Sequence, residues 1–179
     1  MLRTFSPLLL LLASGAPAWA QDASAQTDGR PEVVVEGHAL SRDIPCNGAS
    51  VGIYGVRNTV NLTGTCVSIA IHGQGHVVTF QKAGNVAITG PDHKVTGGEA
   101  TGLAVTSTRN QVETGIRPAG KDALVDVTGA NQSLVLKLAG PVRMEVSGVE
   151  NEVRWSLTDS APEPRISVLG VQNRITHEK

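Results

Sequence analysis

The sequence predicts an all-β fold, a parallel β-solenoid (β-helix) of about seven short coils with a Gly-x-x-Asn turn in each. Three observations point there: a recurring glycine, apolar residues at fixed offsets from it, and a column of asparagines three residues after it. Take Gly55 in Ile53-Tyr54-Gly55-Val56-Arg57-Asn58-Thr59-Val60 as position zero. The pattern recurs at Gly73, Gly90, Ser107, Gly129, Gly148 and Gly170, at intervals of 18, 17, 17, 22, 19 and 22 residues. Position −4 holds Val51, Ile69, Val86, Leu103, Val125, Met144 and Ile166. Position −2 holds Ile53, Ile71, Ile88, Val105, Val127, Val146 and Val168, and position +5 holds Val60, Val78, Val95, Val112, Leu134, Val153 and Ile175. All 21 are apolar in a chain that is 40% apolar, where chance would supply about eight.

Each unit reads as two short strands around a turn. Alternation at −4 and −2 places both side chains on one face of a pleated strand, and β-branched Val and Ile suit that surface. Glycine and asparagine suit a corner that needs positive φ. A four-stranded propeller blade needs about 40 residues, twice this period. A hairpin array would fold each unit back on itself, whereas a solenoid stacks equivalent strands in parallel. Stacking also explains the column at +3, which holds Asn58, His76, His93, Asn110, Gln132, Asn151 and Asn173. Identical turns in register would let Asn amides hydrogen-bond from coil to coil, a turn ladder like that of cross-β stacks. Seven coils at ~4.8 Å each make a rod of about 34 Å.

In chain order, residues 1–20 read as a secretory signal. Arg3 supplies the positive start, Leu8 to Leu12 an apolar run, and Ala18-Trp19-Ala20 a cleavage pattern before Gln21. The apolar run is too short for a membrane span, and no other stretch approaches ~18 apolar residues. The expectation is a periplasmic or secreted protein, cleaved after Ala20, with no membrane span afterwards. Residues 21–45 are expected to be a flexible leader, with Glu32-Val33-Val34-Val35-Glu36 a possible cap strand; the repeat domain is placed at 46–179. In an oxidising compartment the two cysteines, Cys46 and Cys66, are expected to form one disulfide. Both fall in the back turns of adjacent coils, where a bridge would staple them. A solenoid end is a sheet edge, so the last coil could dock a second subunit or a partner.

The Gly-x-x-Asn units with alternating Val and Ile, the early Cys pair and the signal-like start resemble the bacterial family catalogued as domain of unknown function 3060. The resemblance covers about residues 46–177. His76, His93 and Ser107 depart from the consensus, the histidines in the asparagine column and Ser107 at the glycine position. The resemblance implies an exported bacterial protein and supplies no activity and no catalytic residues.

Composition narrows the function classes. Aromatic residues make up 3%, and beyond the signal segment only Tyr54, Phe80 and Trp155 remain. That argues against base-stacking platforms and aromatic-paved sugar grooves. The net charge is −1, and no basic stripe offers contacts for nucleic acid or anionic lipid. No nucleophile elbow or phosphate loop is present, and no cofactor is expected. His72, His76 and His93 form a candidate metal cluster, since imidazoles near Asp92 could take zinc or copper; the plainer alternative is that His76 and His93 replace Asn in the ladder. Carboxylates that could serve a polysaccharide-active solenoid are Glu113, Asp126, Glu145, Glu150 and Glu152, which otherwise read as a solvated surface. The outward −3 residues Gly52, Ala70, Ala87 and Ala104 make a small-residue strip, a possible docking surface for another envelope protein or a surface glycan. The leading expectation is a non-enzymatic envelope or extracellular interaction module, with metal binding and polysaccharide binding or turnover as alternatives.

Overall fold

The computed structural model describes residues 32–158 and 160–178; the signal segment and residues 21–31 lie outside the described residues. Among the described residues there are thirteen strands and no helix, joined in one 13-stranded sheet in which every pairing is parallel. The sheet winds into a β-solenoid of about eight turns.

Coil 1 is β1 (Glu32–His38) and β2 (Ser41–Pro45), and coil 2 starts with β3 (Ser50–Val56). The long strands β4 (Thr59–His72), β5 (Val77–Thr89) and β6 (Lys94–Thr108) each close one coil and open the next. After them each coil uses two strands: β6 with β7 (Gln111–Ile116), β8 (Ala123–Ala130) with β9 (Ser133–Leu138), β10 (Val142–Val149) with β11 (Glu152–Leu157), and β12 (Arg165–Val171) with β13 (Arg174–His177). Two walls result. The first runs through β1, β3 and the later halves of β4 to β6, then β8, β10 and β12. The second runs through β2, the earlier halves of β4 to β6, then β7, β9, β11 and β13. The switch from long strands to short pairs follows proline. Pro118, Pro141, Pro162 and Pro164 stand in the rear connections of the later coils, where a missing N–H ends a ladder.

The repeat register matches the pairing. Gly37, Gly55, Gly129, Gly148 and Gly170 are paired residue to residue in the first wall, with Ser107 opposite Gly129. The −4, −2 and +5 residues of coils 2 to 7 are all buried. A further inward column stands at +7, with Leu62, Phe80, Thr114, Leu136 and Trp155 buried. Phe80 lies opposite Gly97, and a Cβ on Gly97 would run into the Phe80 ring; the ring fills the volume that the glycine leaves. A continuous apolar core from Val35 to Trp155 thus lies between the walls, with rear corners closed by small residues in register, Cys66, Ala83 and Ala100.

Two expectations need correction. Residues 32–45 are a whole extra coil, not a leader with a cap strand: β1 pairs along β3 and β2 along β4. Leu40 stands where the turn asparagine would be, and Arg42 aligns with Val60, so the coil lacks two marks of the repeat. At the other end, the last coil does not bury its inward residues. Ile166 and Val168 are exposed and Ile175 only partly covered, because among the described residues no strand pairs with the outer edges of β12 and β13.

Candidate functional site

The turn between the two walls is the most ordered polar feature of the molecule. Where the chain turns the corner, the backbone N–H at +3 points along the stack with no carbonyl to meet it. The side chain at +3 in the next coil supplies the acceptor. Leu40 N–H donates to Asn58 Oδ1 (2.9 Å), Asn58 N–H to His76 Nδ1 (3.0 Å), and His76 N–H to His93 Nδ1 (3.1 Å). His93 N–H donates to Asn110 Oδ1 (2.8 Å), Asn110 N–H to Gln132 Oε1 (3.1 Å), Gln132 N–H to Asn151 Oδ1 (3.1 Å), and Asn151 N–H to Asn173 Oδ1 (3.0 Å). The other end of each side chain donates to a corner carbonyl. Examples are Asn58 Nδ2 to Tyr54 O (2.9 Å) and Asn110 Nδ2 to Gly90 O (3.0 Å).

The ladder is therefore continuous through the histidines. It is built from side chain to backbone, with one direct amide contact, Asn151 Nδ2 to Asn173 Oδ1 (3.0 Å), where amide-to-amide bonding was expected. Nor does the asparagine supply the positive φ. That falls at position zero, where Gly55, Gly73, Gly90, Gly129, Gly148 and Gly170 have φ of 101–135°, and at +2, where Arg57, Asp92, Arg109, Asn131, Glu150 and Gln172 have φ of 56–66°. A Cβ on Gly129 would strike the carbonyl oxygen of Ser107, so the coil spacing itself requires glycine there.

His76 and His93 sit in this ladder, fully buried, with rings stacked at 5.1 Å and 7°. Each Nδ1 accepts a backbone N–H, while His76 Nε2 lies 3.0 Å from His72 O and His93 Nε2 3.1 Å from Thr89 O. This assigns both as neutral imidazoles carrying the proton on Nε2. Burial pushes the pKa of both below the usual histidine value. The proposed trio is not brought together. His72 lies on the outer face of the first wall, stacked on Tyr54 at 5.2 Å and 10° and bonded through Nδ1 to Thr89 Oγ1, while the nitrogens of the other two are spent on the backbone. Among the described residues no group of three or more His, Cys, Asp or Glu side chains is placed to hold a metal ion.

The other candidates lie on the exterior. Asp126 and Glu145 are register neighbours on the first wall; Glu113 and Glu152 belong to β7 and β11 of the second wall, and Glu150 to the turn between β10 and β11. These carboxylates do not face one another across a cleft. Gly52, Ala70, Ala87 and Ala104 align in register along the first wall. The strip is shorter than its sequence suggests, because Gly52 is buried beneath the Tyr54 ring. At its far end Ala87 and Ala104 open into a shallow recess with Asn85, Leu124, Asp122 and Asp126. Cys46 and Cys66 form the disulfide, both buried at the rear corners that flank coil 2.

The terminal coil was less visible in the sequence. Ile166, Val168, Leu169 and Val171 are exposed along β12, Leu169 most of all at 69%. The N–H groups of Gln172 and Asn173 continue the direction of the ladder donors and find no acceptor among the described residues. The first coil is finished differently: Val35 is buried, Leu40 and Ile44 pack on the core, and Pro45 ends β2.

No curated protein and no solved structure matches the chain. Residues 53–111, the segment carrying Asn58, His76, His93 and Asn110, match the model of the family described as protein of unknown function (DUF3060).

Proposed function

We propose that this protein is an exported, non-enzymatic interaction module of the cell envelope or extracellular space, and that it docks its partner through the open edge of coil 8. The carrying observation is the difference between the two ends. Among the described residues β1 and β12 both have a free strand edge, but coil 1 buries Val35 and packs Val33 and Leu40 on the core, whereas β12 leaves Ile166, Val168, Leu169 and Val171 exposed. An added strand would satisfy that edge and cover the apolar residues, a recurrent mode of recognition. Export is supported by the signal-like residues 1–20 and by a buried disulfide, a bond that persists in oxidising compartments.

The test is affinity capture of the mature chain from its native envelope and medium, with two control variants. Val168→Lys with Leu169→Lys should abolish a saturable partner, and Ala70→Glu with Ala87→Glu should leave it. The opposite pattern would move the docking surface to the small-residue strip. Turnover of an envelope glycan that is lost in Asp126→Asn with Glu145→Gln would replace the reading by an enzymatic one.

A further inference from the structure

We propose that the stacked His76–His93 pair is an acid-sensitive latch in the turn ladder, holding coils 2 to 5 together when neutral and releasing them when protonated. The geometry leaves a protonated ring no place. Asn58 N–H points at Nδ1 of His76, and His76 N–H points at Nδ1 of His93, at 3.0 and 3.1 Å. A proton on either Nδ1 would set two donors against each other. Flipping the ring over would not relieve this, because it would turn Cδ2–H toward the backbone N–H and Cε1–H toward the carbonyl of His72 or Thr89, leaving both without their ring-nitrogen partners. The charge would also sit in a position with 0–1% exposure, and a second charge would follow 5.1 Å away. An asparagine in the same place, as at positions 58, 110 and 151, accepts and donates equally well but never titrates. Histidine therefore performs the structural task and adds a pH dependence that asparagine lacks.

The surroundings do little to offset this. Arg57 and Arg109 occupy the +2 positions of the flanking turns, and Lys94 follows His93. Asp92 is the nearby carboxylate, but it is tied to Arg109 by Nε–Oδ1 and Nη2–Oδ2 bonds of 2.7 and 2.9 Å. His72 faces outward, against Tyr54 and Thr89. Burial outweighs the favourable pull of Asp92 on His93, and His76 and His93 repel each other's charge.

The sign follows. Both groups hold folded pKa values below the unfolded one, so their contribution is complete above about pH 6.5 and is lost as pH falls below it toward the folded values. By pH 5.0 the limit is about a thirtyfold rise in the unfolding constant for each histidine. The carboxyls of Asp92 and Glu99, held low by Arg109 and Arg117, lose their contribution only at more acid pH.

The experiment compares the mature, disulfide-bonded chain with His76→Asn/His93→Asn by denaturant unfolding at pH 7.5 and 5.0. The wild type should lose at least tenfold more in its folding constant over that interval than the double variant, and amide protection at Asn58 and His76 should fall with it. Parallel losses in the two proteins would overturn the latch. Nitrogen-15 spectra of the wild-type imidazoles give a reading independent of the variant: both rings should stay in the neutral Nε2–H form at pH 6.0, and titration near 6.5 in the intact fold would equally overturn it.

Discussion

Asparagine at +3 earns its place by hydrogen bonding, and the cost of losing it can be stated. Asn110 accepts from the buried His93 N–H and donates to Gly90 O. Asn110→Ala would leave both without a partner in a dry corner, so we expect a loss of about 1–3 kcal/mol for the stranded groups, read as a lowered urea midpoint. The residue before it carries the strain. Glu150 holds φ at 56°, and coil 3 already places Gly75 at the equivalent position with φ of 66°. Glu150→Gly should therefore stabilise the chain by roughly 1 kcal/mol, measured in the same titration; a loss of stability would show that the Glu150 side chain matters more than its backbone. At this scale the sequence was half legible. The spacing of Asn58, Asn110, Asn151 and Asn173 marked the column, and the hydrogen bonds run through His76 and His93 within it. Which atoms met was hidden, because hydrogen-bond direction depends on how the corner tilts each N–H, and no residue type encodes that.

The strands were legible because their two faces have opposite tasks. Inward positions alternate Val, Ile and Leu, and coils 2 to 7 bury all of them. Val127 is the strictest example, fully buried between Val105 and Val146. Val127→Asp would bury an unpaired carboxylate, and we expect a loss of several kcal/mol; a thermal midpoint equal to the wild type would contradict the register. The first coil escaped sequence reading for a physical reason. Among the described residues coil 1 has one neighbour, and there Leu40 replaces the ladder residue and Arg42 points to solvent at +5, erasing the marks that define interior coils. The +7 column was also missed, since Phe80, Gly97, Thr114 and Trp155 differ in size and polarity, and Phe80 is matched to Gly97 across coils rather than repeated.

For the whole molecule, eight coils at about 4.8 Å give a rod of roughly 38 Å. Its two ends are unlike. The disulfide between Cys46 and Cys66 braces the corners beside coil 1, and interior coils are stitched by backbone bonds and by the ladder. Among the described residues coil 8 has a neighbour on one side only, and its His177 stacks over Trp155 of coil 7 at 4.0 Å. The sequence marked coil 8 as an edge only by its place at the end of the repeat, because its apolar pattern is complete: Ile166, Val168 and Ile175 read like any core positions. Their exposure comes from position in the stack, not from composition. An apolar edge that follows the interior pattern is poised to be covered in the same way as an interior coil, by another strand.

That proposal is tested most directly by a photo-crosslinking residue placed at Leu169, beside a control at Ala70 on the small-residue strip, in the full-length chain expressed in its native cells. The docking reading predicts one saturable adduct from position 169 and none from position 70. Adducts from position 70 alone, or none from position 169 at saturating expression, would contradict it.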